Sequence, residues 1–501
     1  MIMNERTKLM RTYIGIDLGT SAAKLLLVDA SGNIINSVTK EYTVSYPEPG
    51  WAEQDPADWW DACFTGLDEL LDGMDRSSVS GIGTAGQMHG LVILDENDDV
   101  IRNAILWNDG RTAEETEWLN TVIGREKLSE MTANIAFAGF TAPKLLWLRK
   151  HEPESFSRIR RIMLPKDYIN YRLTGVHSCD FSDAAGTLLL DVRNRCWSDD
   201  MIDICGIRKE QLPSLYESSH VTGTLLPDIS GALGLRPDVK VVAGAGDNAA
   251  AAVGTGTAGS NACNISIGTS GTVFITSDRF REDNSNALHS FIHADGTYHL
   301  MGCMLSAASC LKWFCGEILG TEDLAAEQGG ISDEMLGRNC AFFLPYLMGE
   351  RSPINDTDAR GTFTGLTMDT SRRDMVQAVM EGVAFAIRDS FEAARALGID
   401  IKKSRLCGGG ARSILWRKIL ADVLDIPIEI PQAEEGPGYG ASMLAMVGCG
   451  EYNNVKECAE ELVRTKETVF PDPAVSARYE AQYQKFRRIY PAMKDLFKSI
   501  K

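Results

Sequence analysis

Apolar and polar positions follow two periods along the chain, one typical of strands and one of helices. Near the start, the apolar run Tyr13–Asp17 leads through a Gly-Thr-Ser turn into a second run, Ala22–Asp29. This pattern predicts two strands joined by a tight turn. Between about 55 and 73 the apolar residues recur at helical spacing after Asp55 and Pro56, an N-cap and a first helical position. The buried side of this helix should consist of Trp59, Cys63, Leu67, Leu70 and Leu71.

The strand–turn–strand pattern recurs near the middle of the chain, where Asn264–Ser270 leads through Gly271 into Thr272–Thr276. Two such hairpins in one chain indicate two related halves, with a boundary near Gly254–Gly256. Strands alternate with helices throughout, which predicts an α/β architecture of mixed sheets covered by helices.

The second half of the chain contains further helical and extended patterns. A strand is predicted at Ser404–Cys407, and the three glycines that follow it open a helix. We predict helices at about 306–319, 371–397, 412–425 and 475–497.

Composition limits the classes of function. The chain has 501 residues, of which 44% are hydrophobic and 24% charged, as in a globular protein of two to four domains. A net charge of −19 argues against a general nucleic-acid binder but permits one nucleotide, whose phosphates backbone N–H groups can neutralise locally.

Targeting signals are not evident in the sequence. No apolar run is long enough for a membrane span, and residues 1–12 have no apolar core of a signal peptide. We interpret residues 1–11 as an N-terminal extension, with Met10 as an alternative start. The twelve cysteines form no CxxC pair, which indicates reduced thiols in a cytoplasm.

Three glycine-rich turns follow apolar strands, at 18–21, 268–271 and 408–410. Glycine allows close approach to a ligand, and successive N–H groups in such turns bind anions. None has a GxxxxGK[ST] or GxGxxG sequence, and each alone could be only structural. Together they predict two phosphate-binding hairpins and a third loop on a nucleotide.

Two aspartates stand at the ends of predicted strands. Asp17 lies beside the first glycine turn, where a carboxylate fits Mg²⁺ bound to phosphate, although it could simply cap the turn. Asp247 follows the apolar strand Val241–Gly246 and begins a helix at Asn248–Val253, where the helix dipole favours the ionised form. Such a carboxylate can accept a proton from a substrate hydroxyl, but a plain N-cap explains this segment as well.

Two polar clusters suit a polyol, because each combines hydrogen-bonding side chains in a short turn. One contains Gln87 and His89 between glycines, and the other joins Trp107 to Asp109 and Arg111. A structural role is an equally good interpretation of each cluster from sequence alone.

These segments resemble the FGGY carbohydrate kinases, which belong to the actin-like ATPase superfamily. IGIDLGTS at 14–21 resembles the family's first phosphate motif, FTAPKLLW at 140–147 its first signature and GGGARS at 408–413 its second. The similarity covers about 12–490. Further similar stretches are GQMHG at 86–90, ILWNDGR at 105–111, LPKDY at 164–168, SDAAGT at 182–187, GDNAA at 246–250 and LSAASCL at 305–311.

The resemblance implies two ribonuclease-H-like domains of mixed sheet plus helices around a deep cleft. Residues 12–254 would bind sugar and phosphate, and residues 255–501 the nucleotide. It implies phosphorylation of a pentulose, D-xylulose, at the expense of ATP with Mg²⁺. Dimers are common among such enzymes, so a homodimer is expected, without nucleic-acid or membrane partners.

The resemblance also assigns roles to individual residues. Asp247 would be the general base on the terminal hydroxyl, and Asp17 would hold Mg²⁺ through water. The sugar would contact Met88, His89, Trp107 and Asn248. The phosphates would contact Gly19, Thr20, Ser21 and Thr269, and the adenosine Gly409, Gly410 and Ala411.

Three alternatives stay open. The first is the same chemistry on another ketose or polyol, such as L-xylulose or ribulose. The second is a non-catalytic actin-like filament subunit or regulator switched by ATP, although a charge of −19 opposes self-assembly. The third and weakest is a metal hydrolase, because the seven histidines show no HxxxH spacing.

Overall fold

The computed structural model describes residues 11–432 and 435–500, and the predicted N-terminal extension lies almost wholly outside them. The chain forms two compact units. The N-terminal unit consists of the residues up to Ala258 together with Phe291–Tyr298 and Glu435–Val463. The C-terminal unit contains Gly259–Ser290 and the described residues within 299–434 and 464–501. Within the described ranges, every helix is too short or too polar to cross a bilayer.

The first half of the chain alternates short strands with helices. Its strands are β1 Thr12–Leu18, β2 Ala22–Asp29, β3 Ile34–Glu41, β4 Glu53–Gln54, β5 Val79–Gly86, β6 Val92–Leu94, β7 Ala104–Ile105, β8 Arg161–Met163, β9 Ser178–Asp180, β10 Leu190–Asp191, β11 Cys196–Trp197, β12 Ser214–Tyr216, β13 Val221–Thr224, β14 Lys240–Val242 and β15 Ala245–Gly246. Its helices are α1 Pro56–Leu70, α2 Ala113–Trp118, α3 Arg125–Thr132, α4 Thr141–His151, α5 Pro153–Ser157, α6 Pro165–Thr174, α7 Phe181–Ala184, α8 Asp199–Cys205, α9 Pro227–Ala232 and α10 Asp247–Gly254.

The second half continues this alternation. Its strands are β16 Cys263–Ile267, β17 Gly271–Ser277, β18 His289–Ile292, β19 Tyr298–Met304, β20 Phe342–Leu344, β21 Thr362–Thr364, β22 Ser404–Cys407, β23 Ile428–Pro431 and β24 Thr465–Val469. Its helices are α11 Ala308–Trp313, α12 Leu324–Gln328, α13 Arg372–Ala396, α14 Ile414–Leu424, α15 Gly436–Cys449, α16 Val455–Leu462, α17 Pro473–Phe486 and α18 Ile489–Ser499.

The main sheet of the N-terminal unit has the strand order β13-β14-β5-β1-β2-β3, and β15 pairs with β5 beyond β14. The predicted hairpin is β1 and β2, antiparallel, with Asp17 opposite Lys24. Successive side chains alternate between faces of a strand. Accordingly Ile14 and Ile16 pack in the core that contains α1, whereas Tyr13 packs in the core that contains α15.

The predicted first helix is confirmed as α1. Asp55 is its N-cap and accepts a hydrogen bond from the Ala57 N–H at 2.9 Å. The predicted apolar side is buried at all five positions, which are Trp59, Cys63, Leu67, Leu70 and Leu71.

The C-terminal sheet has the order β18-β19-β17-β16-β22-β23-β24. Its central strand β16 pairs antiparallel with β17 on one side and parallel with β22 on the other. In the N-terminal sheet, β1 has the same two kinds of neighbour in β2 and β5. Two sheets therefore share one ribonuclease-H-like arrangement, and this confirms the fold class and the two related halves predicted from the paired hairpins.

Some predicted boundaries were wrong. The single helix predicted at 475–497 is two helices, α17 and α18, which break at Arg487 and Arg488. Proline lacks a backbone N–H and is tolerated only in the first turn of a helix, so Pro491 requires a helix that begins close before it. The helix predicted at 306–319 is α11 followed by a π-helical turn, Phe314–Ile318. The helix predicted at 412–425 begins at Ile414, after a 3₁₀ turn over Gly409–Arg412.

Glycines bring α15 unusually close to the N-terminal sheet. A Cβ atom on Gly15 of β1 would lie 1.9 Å from the Gly438 carbonyl oxygen of α15. Likewise, a Cβ on Gly440 would lie 1.9 Å from the Ala250 oxygen of α10. Both obstacles are backbone atoms, which cannot rotate away, so these contacts require glycine.

We expect Gly15→Ala to destabilise the chain by about 3 kcal/mol, because the added methyl group must separate β1 from α15. Calorimetry should show the midpoint of thermal unfolding lowered by several degrees. Gly231→Ala in α9 is the matched control, since its Cβ would meet no atom within 4 Å. That control should stabilise by about 0.5–1 kcal/mol. Equal midpoints for the two variants would contradict the packing.

Candidate active site

Three parallel strands of the N-terminal sheet end at the same edge. In the shared register, Ala85 of β5 pairs with Asp17 of β1 on one side and Ala245 of β15 on the other. Gly246 likewise pairs with Gly86. The segments that follow these strands therefore lie side by side, although the sequence separates them widely. Ligands of α/β proteins commonly bind at the carboxyl ends of parallel strands.

The strand predicted at Val241–Gly246 is interrupted, which sets the position of its end. Gly244 has a φ of 80° and divides the segment into β14 and β15. A Cβ on Gly244 would lie 2.1 Å from the Thr84 oxygen of β5. Glycine is therefore required at this break, and β15 reaches the sheet edge at Gly246.

Asp247 is the first residue of α10, immediately after the N-cap Gly246. Its Oδ1 accepts a hydrogen bond from the Asn248 N–H at 2.6 Å. Burial raises the pKa of Asp247 to about 6, and the bond from Asn248 opposes this rise. The carboxylate is thus ionised at neutral pH yet more basic than an exposed aspartate, a favourable combination for a general base.

Asp17 has more charged neighbours than Asp247. Burial is the main reason that the pKa of Asp17 rises to about 7, and the negative charges of Asp247 and Glu435 add to it. Lys24, opposite Asp17 in the hairpin, lowers the pKa but also forms an ion pair with Glu435. Lys24 and Glu435 were not predicted as site residues, and no motif marks either one.

The donor set at this edge fits Mg²⁺. A cation beside Asp17 would stabilise its carboxylate form, which burial and the negative charge of Asp247 disfavour. Over the described ranges, no three or more His, Cys, Asp or Glu side chains are grouped as a metal cage. Mg²⁺ is commonly bound by one or two carboxylates, with water and phosphate completing its shell, so Asp17 suits this ion.

The turn after β5 holds His89 in a left-handed conformation, with a φ of 70°. Its Nδ1 lies 2.6 Å from the Gly186 carbonyl oxygen, and its ring stacks on Phe140 with the centroids 4.6 Å apart. The His89 carbonyl oxygen accepts hydrogen bonds from Lys144 Nζ at 2.8 Å and Thr141 Oγ1 at 3.1 Å. Strained backbone persists only where the surroundings fix it, and here two other chain segments do so.

Lys144 was missed as a functional residue, although it lies in the FTAPKLLW segment. Its side chain is fully buried and also donates to the Gly139 carbonyl oxygen at 2.7 Å. Burial lowers the pKa of Lys144 to about 7, against the attraction of Asp109. This lysine supports the turn that carries His89.

The other predicted sugar contacts lie in the same unit. Asn248 Nδ2 is 3.9 Å from the Met88 sulfur, and Met88 is buried. Trp107 is 46% exposed, and its Nε1 donates to Thr20 Oγ1 at 2.9 Å. Trp107 is therefore a large exposed aromatic surface next to the first glycine turn.

The first glycine turn is tightly held. Gly19 donates its N–H to the Ala22 oxygen at 3.0 Å, and the Gly19 oxygen accepts from Tyr42 Oη at 2.5 Å. The N–H of Gly19 is therefore already used within the turn. A phosphate contact from this turn would have to come from Thr20 or the exposed Ser21.

Asp109 and Arg111 have structural roles rather than the substrate contact considered above. Their side chains are at most 1% exposed and form an ion pair at 2.7 Å. The guanidinium lies 3.7 Å from the centre of the Trp51 ring, and Asp109 Oδ2 accepts from the Ala52 N–H at 2.6 Å.

In the C-terminal unit, the predicted nucleotide residues surround the end of β16. Thr269 is exposed in the β16–β17 turn, and its carbonyl oxygen accepts from Ser309 Oγ at 2.7 Å. Gly408 has a φ of 82°, and a Cβ there would lie 2.6 Å from the Ile267 oxygen. In the same turn Gly409 is exposed, whereas Gly410 and Ala411 are buried.

The chain is similar to known proteins in both sequence and structure. The N-terminal domain of the FGGY family of carbohydrate kinases matches residues 12–254, and its C-terminal domain matches residues 263–449. A xylulose kinase of Escherichia coli (strain K12) is 42% identical, over 95% of this chain and 98% of its own length.

Solved structures of carbohydrate kinases have the same fold as this chain. A crystal structure of a xyloylose kinase from Brucella ovis superposes with a TM-score of 0.93 at 39% identity, and covers 97% of this chain and 100% of that chain. A gluconate kinase from Lactobacillus acidophilus has a TM-score of 0.92 at 28% identity, with 98% and 100% coverage. The chain belongs to the FGGY family of carbohydrate kinases, and it is an ATP-dependent enzyme that uses Mg²⁺.

Proposed function

We propose that this chain transfers the γ-phosphoryl group of ATP to D-xylulose and forms D-xylulose 5-phosphate. The observation that carries the proposal is Asp247, a half-buried carboxylate at a helix N-terminus whose neighbour Asn248 contacts Met88. The relatives named xylulose kinase support this choice of sugar.

In the proposed reaction, Asp247 accepts the proton of the C5 hydroxyl group. The C5 oxygen forms a bond to the γ-phosphorus as the bond from that phosphorus to the β–γ bridging oxygen breaks, and ADP leaves. The transition state of phosphoryl transfer is loose, so positioning matters more than strong activation of the nucleophile. A carboxylate with a pKa near 6 is sufficient for this step.

Several groups would stabilise the negative charge of the phosphates. Asp17 would hold Mg²⁺ through water, and the ion would neutralise charge on the β- and γ-phosphates. Thr20 and Ser21 offer donors to the phosphates, Gly19 allows close approach, and Thr269 lies in the corresponding turn of the C-terminal unit. The turn of Gly409, Gly410 and Ala411 would lie against the adenosine.

Sugar selection is assigned to Met88, His89, Trp107 and Asn248. The indole of Trp107 provides an apolar face, while His89 and Asn248 provide hydrogen-bonding groups. One group in a pocket shifts preference only modestly, so L-xylulose and ribulose are the alternative substrates. The gluconate kinase neighbour shows that this fold alone does not select the sugar. Nothing on the described residues favours a non-catalytic regulator.

We also place the chain in the cytoplasm, where its substrate ATP is made and its many cysteines stay reduced. Cys63 and Cys310 are buried, and burial raises the pKa of each thiol to about 12, so both are unreactive. A homodimer stays a prediction.

The substrate assignment is tested by ADP release from the purified chain with Mg-ATP and a panel of acceptors. The panel is D-xylulose, L-xylulose, D-ribulose, L-ribulose, D-fructose and glycerol. We expect D-xylulose to have the highest kcat/KM of the panel. A higher value for another acceptor would replace D-xylulose, and no acceptor-dependent release from folded protein would refute the proposal.

Asp247→Asn should lower kcat by about two to four orders of magnitude, because the amide cannot accept the hydroxyl proton. Binding of ATP, measured by calorimetry, should stay within about twofold of wild type. Asp199→Asn is the matched control, since Asp199 is also the first residue of a helix and its side chain is 82% exposed. Near wild-type turnover in Asp247→Asn would remove Asp247 from the base role.

With Mg²⁺ saturating, which keeps Asp17 ionised, the acid limb of the pH–rate profile should report Asp247. The base must be ionised to act, so activity is lost as the pH falls through its pKa, which burial raises to about 6. At saturating Mg-ATP, kcat/KM for D-xylulose should fall about tenfold per pH unit below that value. An acid limb near pH 4, typical of an exposed aspartate, would contradict a base whose pKa burial has raised.

A further inference from the structure

A buried group of charges lies in the N-terminal unit and has no part in the mechanism above. Lys166 Nζ contacts Asp167 Oδ1 at 2.5 Å, Asp180 Oδ1 at 2.9 Å and Asp183 Oδ2 at 3.7 Å. All four side chains are at most 1% exposed. We name these residues the Lys166 cluster.

The Lys166 cluster is costly to bury, because one ammonium group faces three carboxyl groups. Burial raises the pKa of Asp183 well above its ordinary value, and Asp167, Asp180 and Asp247 add to the rise that Lys166 opposes. Neither Asp183 side-chain oxygen forms a hydrogen bond within the described residues. Buried ion groups of this kind commonly stabilise a fold no better than apolar residues of the same size. Added stability is therefore a weak explanation for the Lys166 cluster.

A chain of hydrogen bonds connects the cluster to the peptide that carries the proposed base. Ser182 Oγ donates to Asp180 Oδ2 at 2.5 Å, and Ser218 Oγ donates to the same oxygen at 2.8 Å. Ser182 Oγ in turn accepts the N–H of Gly246 at 3.1 Å. Gly246 is the N-cap of α10 and directly precedes Asp247.

The same cluster supports the turn that carries Met88 and His89. A Cβ on Gly86, just before this turn, would lie 3.0 Å from the Cβ of Lys166. A Cβ on Gly90, just after it, would lie 2.6 Å from Pro165 Cγ. The first turn of α6 thus packs against both ends of the turn.

We propose that Lys166, Asp180 and Ser182 are positioning residues for phosphoryl transfer. Lys166 fixes the Asp180 carboxylate, Asp180 orients the Ser182 hydroxyl, and Ser182 holds the Gly246 peptide. Asp247 is thereby held in one place relative to Met88 and His89. This inference rests on the proposed role of Asp247 as the base.

The test is Ser182→Ala, which removes the acceptor of the Gly246 N–H and leaves the Lys166–Asp180 ion pair intact. We expect kcat with D-xylulose, expressed per ATP-binding site, to fall about tenfold or more, because small displacements of a catalytic group are costly. The KM for ATP should stay within about twofold. Ser230→Ala in α9 is the matched control, since Ser230 is buried and its hydroxyl donates only locally, to the Pro227 oxygen at 3.1 Å. It should keep the wild-type kcat.

A lower unfolding temperature in Ser182→Ala with unchanged kcat per ATP-binding site would show a purely structural role and overturn the proposal. Should Ser182→Ala fail to fold, Ser182→Cys decides, because it keeps a side chain of similar shape but replaces the oxygen that accepts the Gly246 N–H by sulfur, a weak acceptor. A lowered kcat with unchanged KM for ATP in Ser182→Cys would support the proposal, and a wild-type kcat would overturn it. Wild-type protein without D-xylulose activity would refute the proposed function instead, so the two failures are distinguishable.

Discussion

The parallel pairing of β1, β5 and β15 in one register is the constraint on which the site depends. It brings Asp17, the turn with Met88 and His89, and Asp247 to one edge of the N-terminal sheet. The pairing is in turn held by α15, which packs so close to β1 and α10 that glycine is required at the contacts. The positions of these side chains thus follow from the pairing of the strands, because each lies within a few residues of a strand end.

Charge is the second organising feature of this edge. Two half-buried carboxyl groups have raised pKa values, about 7 for Asp17 and about 6 for Asp247, and Lys24 is shared between Asp17 and Glu435. Such an excess of negative charge opposes folding. It suits a site that binds Mg²⁺ and in which a carboxylate accepts a proton from a hydroxyl group. The Lys166 cluster is a second buried group with more carboxyl groups than cations. Through Ser182 it is hydrogen-bonded to the N–H of Gly246.

Much of the fold could be predicted from local patterns. The two hairpins, the N-cap at Asp55 and the long helix α13 were correct because alternating and helical apolar spacings are short-range signals. The prediction of a single last helix was wrong because the apolar spacing continues without a break to 497. Pro491 lacks a backbone N–H, so a new helix begins shortly before it. Motifs predicted Asp17, His89 and Asp247 as site residues. Lys144 and Lys166 were not singled out, because their contacts come from burial against residues distant in sequence.

In the proposed reaction, the sheet edge presents the terminal hydroxyl group of the sugar to Asp247. A crystal structure of the chain with bound D-xylulose tests it most directly. We expect the C5 oxygen about 3 Å from an Asp247 carboxylate oxygen, with His89 and Asn248 contacting other hydroxyl groups. A sugar bound away from this edge, or one that turns its C5 hydroxyl away from Asp247, would contradict the role of Asp247 as the base.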